Sequence, residues 1–225
     1  MSLAFFLSTI IGTLSHELGH YTVAKSLGYY SKVSYGYTIW DDTTNRPFID
    51  SIYSKYYKEI ESNQDFPRKK EFDLIQKKYN KDGFYITLGG PIQTMLTGSF
   101  GFILLLTQKR KIIERDRINP YQWLSIFLCL FWLRQSVNFI VWVITYLINN
   151  KVLTRSDEIR IAISLSLPKE SLTIFTALVG IAVLIFVIFK IIPTKKRFTF
   201  ILAGLFGGTF GYFFWLFWIG PKLMP

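Results

Sequence analysis

The chain has 225 residues, of which 50% are hydrophobic, 18% aromatic and only 18% charged. Because soluble domains carry about 25% charged residues, this composition excludes a disordered protein and argues against an ordinary soluble domain. The 26 Lys and Arg residues outnumber the 15 Asp and Glu residues and give a net charge of +11. In a soluble protein this excess would suggest nucleic-acid binding, but in a membrane protein it is read first as a signal of topology. We therefore expect no nucleic-acid partner.

Five apolar stretches are long enough to cross a bilayer, which takes about 20 residues. In chain order they are Leu3–Leu27, Phe84–Thr107, Tyr121–Ile148, Leu172–Ile192 and Phe198–Ile219. The first stretch lacks a basic segment and a small-residue cleavage site, so it does not have the features of a cleaved signal peptide. The sequence predicts an all-α polytopic membrane protein with about five transmembrane helices in a single membrane-embedded domain, residues 1–225.

Residues 28–83, between the first two spans, form one long polar loop. It begins with Lys32–Trp40, which is rich in β-branched and aromatic residues and is compatible with a β-hairpin. The mixed-charge run Asp50–Asp82 follows and is predicted to be helical and solvated. Residues 1–27 then form the first span, residues 84–167 the core spans, and residues 168–225 the last two spans.

The orientation in the membrane is left open by the charges. The loops after odd-numbered spans carry most of the Lys and Arg residues, mainly in the long polar loop. The short connections 108–120 and 193–197 lie on the opposite side and are also densely basic. Short loops count for more in the positive-inside rule, so the two indicators conflict.

The residues that indicate chemistry lie near the end of the first span, in the segment His16-Glu17-Leu18-Gly19-His20. Side chains four residues apart lie on one face of a helix, so both imidazoles can point at one ion. Glu17 is one position further round and can reach a water molecule at that ion. This HExxH pattern predicts two zinc ligands and a general base. The alternative is a pair of packing histidines with Glu17 as their ion partner, which is costly in a membrane span without a function.

The motif and its surroundings resemble the site-2 protease family of intramembrane zinc metalloproteases, peptidase family M50. The resemblance rests on HELGH near the start of a polytopic chain and on the following Tyr21–Gly28, and it extends over Ile10–Leu167. It implies a zinc metalloendopeptidase that cleaves in or near transmembrane segments of membrane proteins, as in regulated intramembrane proteolysis. The expected cofactor is Zn²⁺, the expected partners are the bilayer and a membrane-protein substrate, and the expected location is the bacterial cytoplasmic membrane.

The family also has a Gly-Pro-x-x-Asn motif in a core span, whose Asn is thought to hold substrate. This chain has Gly90-Pro91-Ile92-Gln93-Thr94 at the start of its second predicted span, so a threonine occupies the Asn position. The resemblance implies that the substrate-binding residues are Gly90, Pro91, Gln93, Thr94 and Asn138. It also implies that the substrate is unwound and adds as a strand to Val33–Trp40. Alternatively, Gly90-Pro91 only begins a helix, since proline is compatible with the first helical turn.

A catalytic zinc site needs a third protein ligand, because two imidazoles leave it one short. The single cysteine, Cys129, cannot form a cysteine-rich site, and the chain has no third histidine. The remaining candidates are acids near the ends of spans: Asp82, Asp116, Asp157 and Glu158. In the family this ligand is an Asp after an Asn-containing stretch, so the resemblance implies Asp157, which follows Asn138, with Glu158 as the main rival. An N-cap at Ser156 with two acids that favour the helix dipole is the structural alternative.

Arg134 and a set of glycines in other spans each have a functional and a structural interpretation. Arg134 in the third span could orient Asp157 or stabilise a developing oxyanion, or it could be a structural hydrogen-bond donor. The small-residue pattern of Gly204, Gly207, Gly208 and Gly211 in the last span indicates a helix-packing face more than a substrate gate.

Three other functions are compatible with the sequence. A membrane metalloprotease of another HExxH family would take a glutamate such as Glu158 as its third ligand. A non-catalytic zinc-binding or scaffold protein would keep the motif and bind zinc weakly or not at all. A transporter would use the motif as a transit site, but it would normally repeat acids or histidines in other spans. The oligomeric state is not predicted.

Overall fold

A computed structural model describes residues 1–115, 118–149 and 156–225, and most of these residues are helical. The helices are α1 (Ser2–Ser26), α2 (Arg46–Glu61), α3 (Lys69–Arg115), α4 (Pro120–Cys129), α5 (Leu133–Asn149), α6 (Asp157–Ser164), α7 (Ser171–Phe186), α8 (Thr194–Phe213) and α9 (Gly220–Leu223). A 3₁₀ turn, Leu130–Trp132, joins α4 to α5, and π-helical turns follow α7 and α8. The predicted all-α class is therefore confirmed.

Four helical segments among the described residues are long and apolar enough to cross a membrane. They are Lys69–Ile112, Pro120–Ile148, Ser171–Ile191 and Thr194–Leu223. The predicted number of five is not reached, because α1 is not among them. The histidines, the glutamate and Lys25 make the second half of α1 more polar than an ordinary span.

The second span begins earlier than the sequence predicts. α3 runs from Lys69 to Arg115, so it starts well before the predicted Phe84 and incorporates part of the polar segment. Lys, Glu and Gln have good helix propensity, and no proline interrupts the chain between Lys69 and Gly90. Pro91 consequently lies in the interior of α3, so the alternative that Gly90-Pro91 only begins a helix is wrong.

Residues 28–83 contain two short strands besides α2 and the start of α3. The strands β1 (Tyr30–Val33) and β2 (Thr38–Asp41) pair antiparallel, with Tyr30 opposite Asp41. They lie beside the end of α1, where Tyr29 packs with Ala24 and Ile86. The turn between the strands is held by the last residues of the chain, since Ser34 Oγ donates to Met224 O at 2.7 Å.

α1 lies between α8 and α3, with small residues at both contacts. On the α8 side, Cβ atoms at Gly207 and Gly211 would collide with backbone atoms of Ser2 and Phe6, which agrees with the predicted packing face. On the α3 side, a Cβ on Gly19 would overlap the carbonyl oxygen of Gly89. This close backbone approach brings the second half of α1 against the middle of α3. The main apolar core lies among α3, α4, α7 and α8, and Phe5 in the first half of α1 belongs to it.

Candidate metal centre

Three potential ligand atoms meet where α1, α3 and α6 come together. His16 Nε2 lies 3.0 Å from Asp157 Oδ2, His20 Nε2 lies 3.2 Å from the same oxygen, and the two Nε2 atoms are 3.2 Å apart. The imidazoles are almost completely buried, whereas the Asp157 side chain is 22% exposed. The HExxH spacing therefore directs both imidazoles to one point, and α6 adds a carboxylate oxygen there.

The other ring nitrogens show which tautomers these histidines have. His20 Nδ1 lies 2.7 Å from the carbonyl oxygen of Ile86, which only accepts, and 3.3 Å from the Gly90 amide nitrogen. The shorter contact assigns the proton to Nδ1. His16 Nδ1 lies 2.9 Å from Thr94 Oγ1, and this hydroxyl donates its own proton to Gly90 O. With this proton assignment, the neutral forms of both imidazoles would direct an Nε2 lone pair at the Asp157 carboxylate. Carbonyl and hydroxyl partners at the second nitrogen are typical of histidines that bind metals.

The three atoms fit a divalent cation. Lone pairs this close repel one another unless positive charge, as protons or a metal ion, lies among them. Ligands about 2.0–2.1 Å from a tetrahedral zinc ion lie about 3.3 Å from one another, close to the observed separations. The space beside the nitrogens depends on a glycine, because a Cβ on Gly90 would fall on the Nε2 atoms of His16 and His20. The donor set of two imidazoles and one carboxylate is one that zinc accepts.

The start of α6 separates two neighbouring carboxylates. Ser156 caps the helix, its hydroxyl accepting from the Ile159 amide, so the predicted N-cap is present. Asp157, the first helical residue, points at the histidines. Glu158 turns the other way, where its Oε1 accepts from Asn138 Nδ2 at 3.2 Å and burial raises the pKa of its carboxyl. Helix capping and contact with the histidines therefore occur together and are not alternatives.

Glu17 is held by the neighbouring strand. Its side chain is buried, and Thr38 Oγ1 on β2 lies 3.1 Å from Glu17 Oε2 and 2.8 Å from the Glu17 carbonyl oxygen. The ligand-type atoms of His16, Glu17 and His20 all lie within 4.8 Å of one another. The carboxylate is therefore next to the imidazole nitrogens and in contact with a hydroxyl that the sequence analysis did not identify.

A cavity of about 340 Å³ opens beside this group of side chains. Glu17, His20 and Asp157 form its polar end, and Thr38 and Trp40 of β2 form one wall. α5 contributes much of the rest of the lining, from Arg134 to Trp142. Such a cavity leaves room for a ligand at the side of the three atoms that the protein does not fill.

The predicted substrate residues divide into two groups. Asn138 lines the cavity. Gly90, Pro91, Gln93 and Thr94 belong to α3, where Gly90 and Thr94 contact the histidines and Gln93 Nε2 donates to the hydroxyls of Ser15 and Thr97. None of these four lines the cavity. Thr94 thus orients a histidine in this structure, and its contact with substrate stays a prediction.

Two other acids were candidates for the third ligand. Asp82 accepts hydrogen bonds from Tyr29 Oη and Lys78 Nζ, both at 2.8 Å, and among the described residues its ion pair is with Lys78 and not with a histidine. Asp116 lies outside the described residues. Among the described acids, Asp157 is the one in contact with both imidazoles.

A glycine substitution tests the geometry of the centre. Gly90→Ala should weaken zinc binding at least about tenfold, because the new methyl group competes for the space at both Nε2 atoms. Gly12→Ala is the matched control, since its Cβ would meet nothing within 4 Å, and should bind zinc as the parent does. Zinc content after dialysis against graded chelator measures both. Equal zinc retention in the two variants would contradict this geometry.

Comparison with known proteins identifies no relative. No family model matches the chain, and neither a curated protein nor a solved structure is significantly similar to it. The functional argument therefore rests on the residues and their arrangement.

Proposed function

We propose that this protein is an intramembrane zinc metalloendopeptidase that hydrolyses peptide bonds in or near transmembrane segments of membrane proteins. The observation that supports this most is the meeting of His16 Nε2, His20 Nε2 and Asp157 Oδ2 beside a cavity that Glu17 also lines. Three protein ligands with an adjacent open space are the arrangement of catalytic zinc sites, whereas structural sites are closed by a fourth protein ligand.

The roles of the side chains follow from their positions. A bound Zn²⁺ would supply Lewis-acid chemistry, polarising a carbonyl group and strengthening water as a nucleophile at neutral pH. Glu17 accepts the proton of the attacking water and later delivers it to the leaving amine. Thr38 keeps the carboxylate of Glu17 turned to the cavity, and the Ile86 carbonyl and Thr94 hydroxyl keep both imidazoles in the ligating tautomer.

The membrane setting follows from the four apolar segments, and we propose that α1 crosses as a fifth. Buried polar groups in α1 are tolerable because α3 and α8 cover it on both sides. The substrate would be a locally unwound transmembrane segment. Within the described part of the chain one edge of β2 is unpaired, and an extended peptide can add to it as a strand beside the cavity. We place the protein in the bacterial cytoplasmic membrane by family resemblance.

The experiment that tests the function uses purified protein in liposomes with a single-span test substrate. The parent should contain about one zinc per chain and cleave the substrate, and 1,10-phenanthroline should abolish cleavage until zinc is added back. Zinc binding without cleavage would replace this proposal with the scaffold function. If the protein binds no zinc at all, the proposed metal centre is contradicted as well.

Orientation gives an independent test. HELGH lies in the later half of α1, so the metal centre should be nearer the side of residues 28–83, which family resemblance puts in the cytoplasm. A thiol at exposed Ser62 should react with an impermeant maleimide only after permeabilisation, and one at Lys196 should react in intact cells. The parent is the control, because its Cys129 is fully buried. Labelling of Ser62→Cys in intact cells would reverse the orientation.

A further inference from the structure

One face of α5 forms a wall of the cavity. Arg134, Val137, Asn138, Val141 and Trp142 line it, and their spacing of three or four residues puts them on a single helix face. The polar side chains Arg134 and Asn138 are one turn apart, and Val141 and Trp142 follow toward the end of the helix. This wall lines the same cavity as Glu17 and His20.

Arg134 has unused hydrogen-bonding capacity. Its Nε is buried without a partner, and within the described ranges Arg134 forms no ion pair. A structural arginine would donate its five N–H groups to carbonyl or carboxylate oxygens, since buried donors are nearly always paired. Arg134 therefore lacks the signature of a structural donor, and a ligand that brings acceptor oxygens into the cavity would satisfy it.

A second donor on the same wall indicates what kind of ligand this is. Trp142 Nε1 is also buried without a hydrogen-bond partner and also belongs to a cavity-lining residue. Two helical turns separate the two residues, about 12 Å along the axis, which an extended peptide covers in about three or four residues. A peptide backbone offers carbonyl oxygens at such intervals.

We propose that Arg134 is a catalytic residue that donates hydrogen bonds to the carbonyl oxygen of the reacting peptide bond, an inference that rests on the proposed endopeptidase function. When water attacks, the C–O bond forms and the carbonyl electron pair moves onto oxygen. The guanidinium stabilises this negative charge more strongly than it stabilises the neutral carbonyl. The pair returns as the C–N bond breaks, and Glu17 delivers the proton from water to the amine.

The charge of Arg134 suits this position. Glu17 and Asp157 are the acids that line the same cavity among the described residues, and their two charges would offset a divalent cation. The oxyanion then adds a further negative charge, for which Arg134 supplies a matching positive one. Arginine keeps its charge at any physiological pH, so it can act without a proton-transfer step of its own.

The test compares Arg134→Met, Arg134→Lys and the parent on the transmembrane substrate that the parent cleaves. Rates are expressed per bound zinc and on monodisperse protein only, with thermal stability measured alongside. Arg134→Met should lower kcat about 10²–10³-fold with zinc content unchanged and KM altered less than kcat, because the interaction strengthens in the transition state. Arg134→Lys should keep the charge, lose the planar fork and lower kcat at least about tenfold. Lys196→Met, which removes one charge from an exposed connection, should cleave as the parent does.

The outcomes separate this inference from the proposed function. A zinc-loaded parent that does not cleave removes the endopeptidase function itself. A parent that cleaves, with Arg134→Met equally fast per zinc, removes only the role of Arg134. A variant that is unstable but has parental kcat in its folded fraction shows a structural arginine and overturns the proposal. If Arg134→Met gives no folded protein, a parental kcat in Arg134→Lys overturns it instead.

Discussion

Glu17→Gln should bind zinc as the parent does and lose essentially all cleavage of a transmembrane substrate. The amide keeps the size of the side chain, and its oxygen can still accept from Thr38, but it cannot take a proton from water. Positioned acid–base groups contribute about 10²–10⁴-fold, so cleavage should fall by at least that much. Zinc analysis and product quantification on the same preparation measure the two effects.

Two comparisons make the Glu17 result decisive. His20→Ala should lose zinc together with activity, because it removes a ligand and not the base. A structural role for Glu17 predicts instead a variant that expresses poorly while its folded fraction still cleaves. If folded, zinc-loaded Glu17→Gln cleaves as fast as the parent, the endopeptidase function fails and a scaffold function takes its place.

Asp157→Ala should lose zinc and activity together. The substitution removes the oxygen that lies 3.0 Å from His16 Nε2 and 3.2 Å from His20 Nε2, and it leaves two imidazoles, too few protein ligands to retain the ion. The helix cap at Ser156 does not depend on this carboxylate, so α6 should still form. Zinc content after gel filtration and residual cleavage check the prediction.

Glu158→Ala is the matched control for Asp157→Ala. The two acids are neighbours on α6, but Glu158 bonds to Asn138 and does not contact the histidines, so its loss should leave zinc content near the parental value. The reverse pattern would move the ligand role to Glu158 and favour another metalloprotease family. Zinc retained in both variants would direct the search to Asp82 and Asp116.

Most of what could be predicted from the sequence came from the local spacing of apolar residues and histidines. Apolar length identified the helices of the last three predicted spans, and the i, i+4 spacing of the histidines on α1 predicted that their side chains meet. Asp157 was predicted as the third ligand from family resemblance, and its carboxylate lies beside the histidines. Its role as a ligand stays a prediction. The helices and the meeting of the two histidines thus followed from patterns that the sequence displays directly.

Contacts made by the backbone could not be predicted in the same way. The Ile86 carbonyl orients His20, and a carbonyl group has no residue-type signature. Thr38 reaches Glu17 only because β1 and β2 fold against α1, which depends on packing and not on spacing. The start of α3 was misplaced because charged residues with good helix propensity extend a span without an apolar signal.

The separation of 141 positions between His16 and Asp157 has a consequence for synthesis of the protein. A growing chain exposes HELGH early, with two imidazoles and no carboxylate partner, and such a pair holds zinc weakly. The centre is complete only when α6 has been translated and has docked against α1 and α3. Under the proposed function, hydrolytic capacity would therefore arise only after α6 has docked. A chain that ends before α6 would be inert toward its neighbours in the bilayer, and zinc uptake would report the docking of α6.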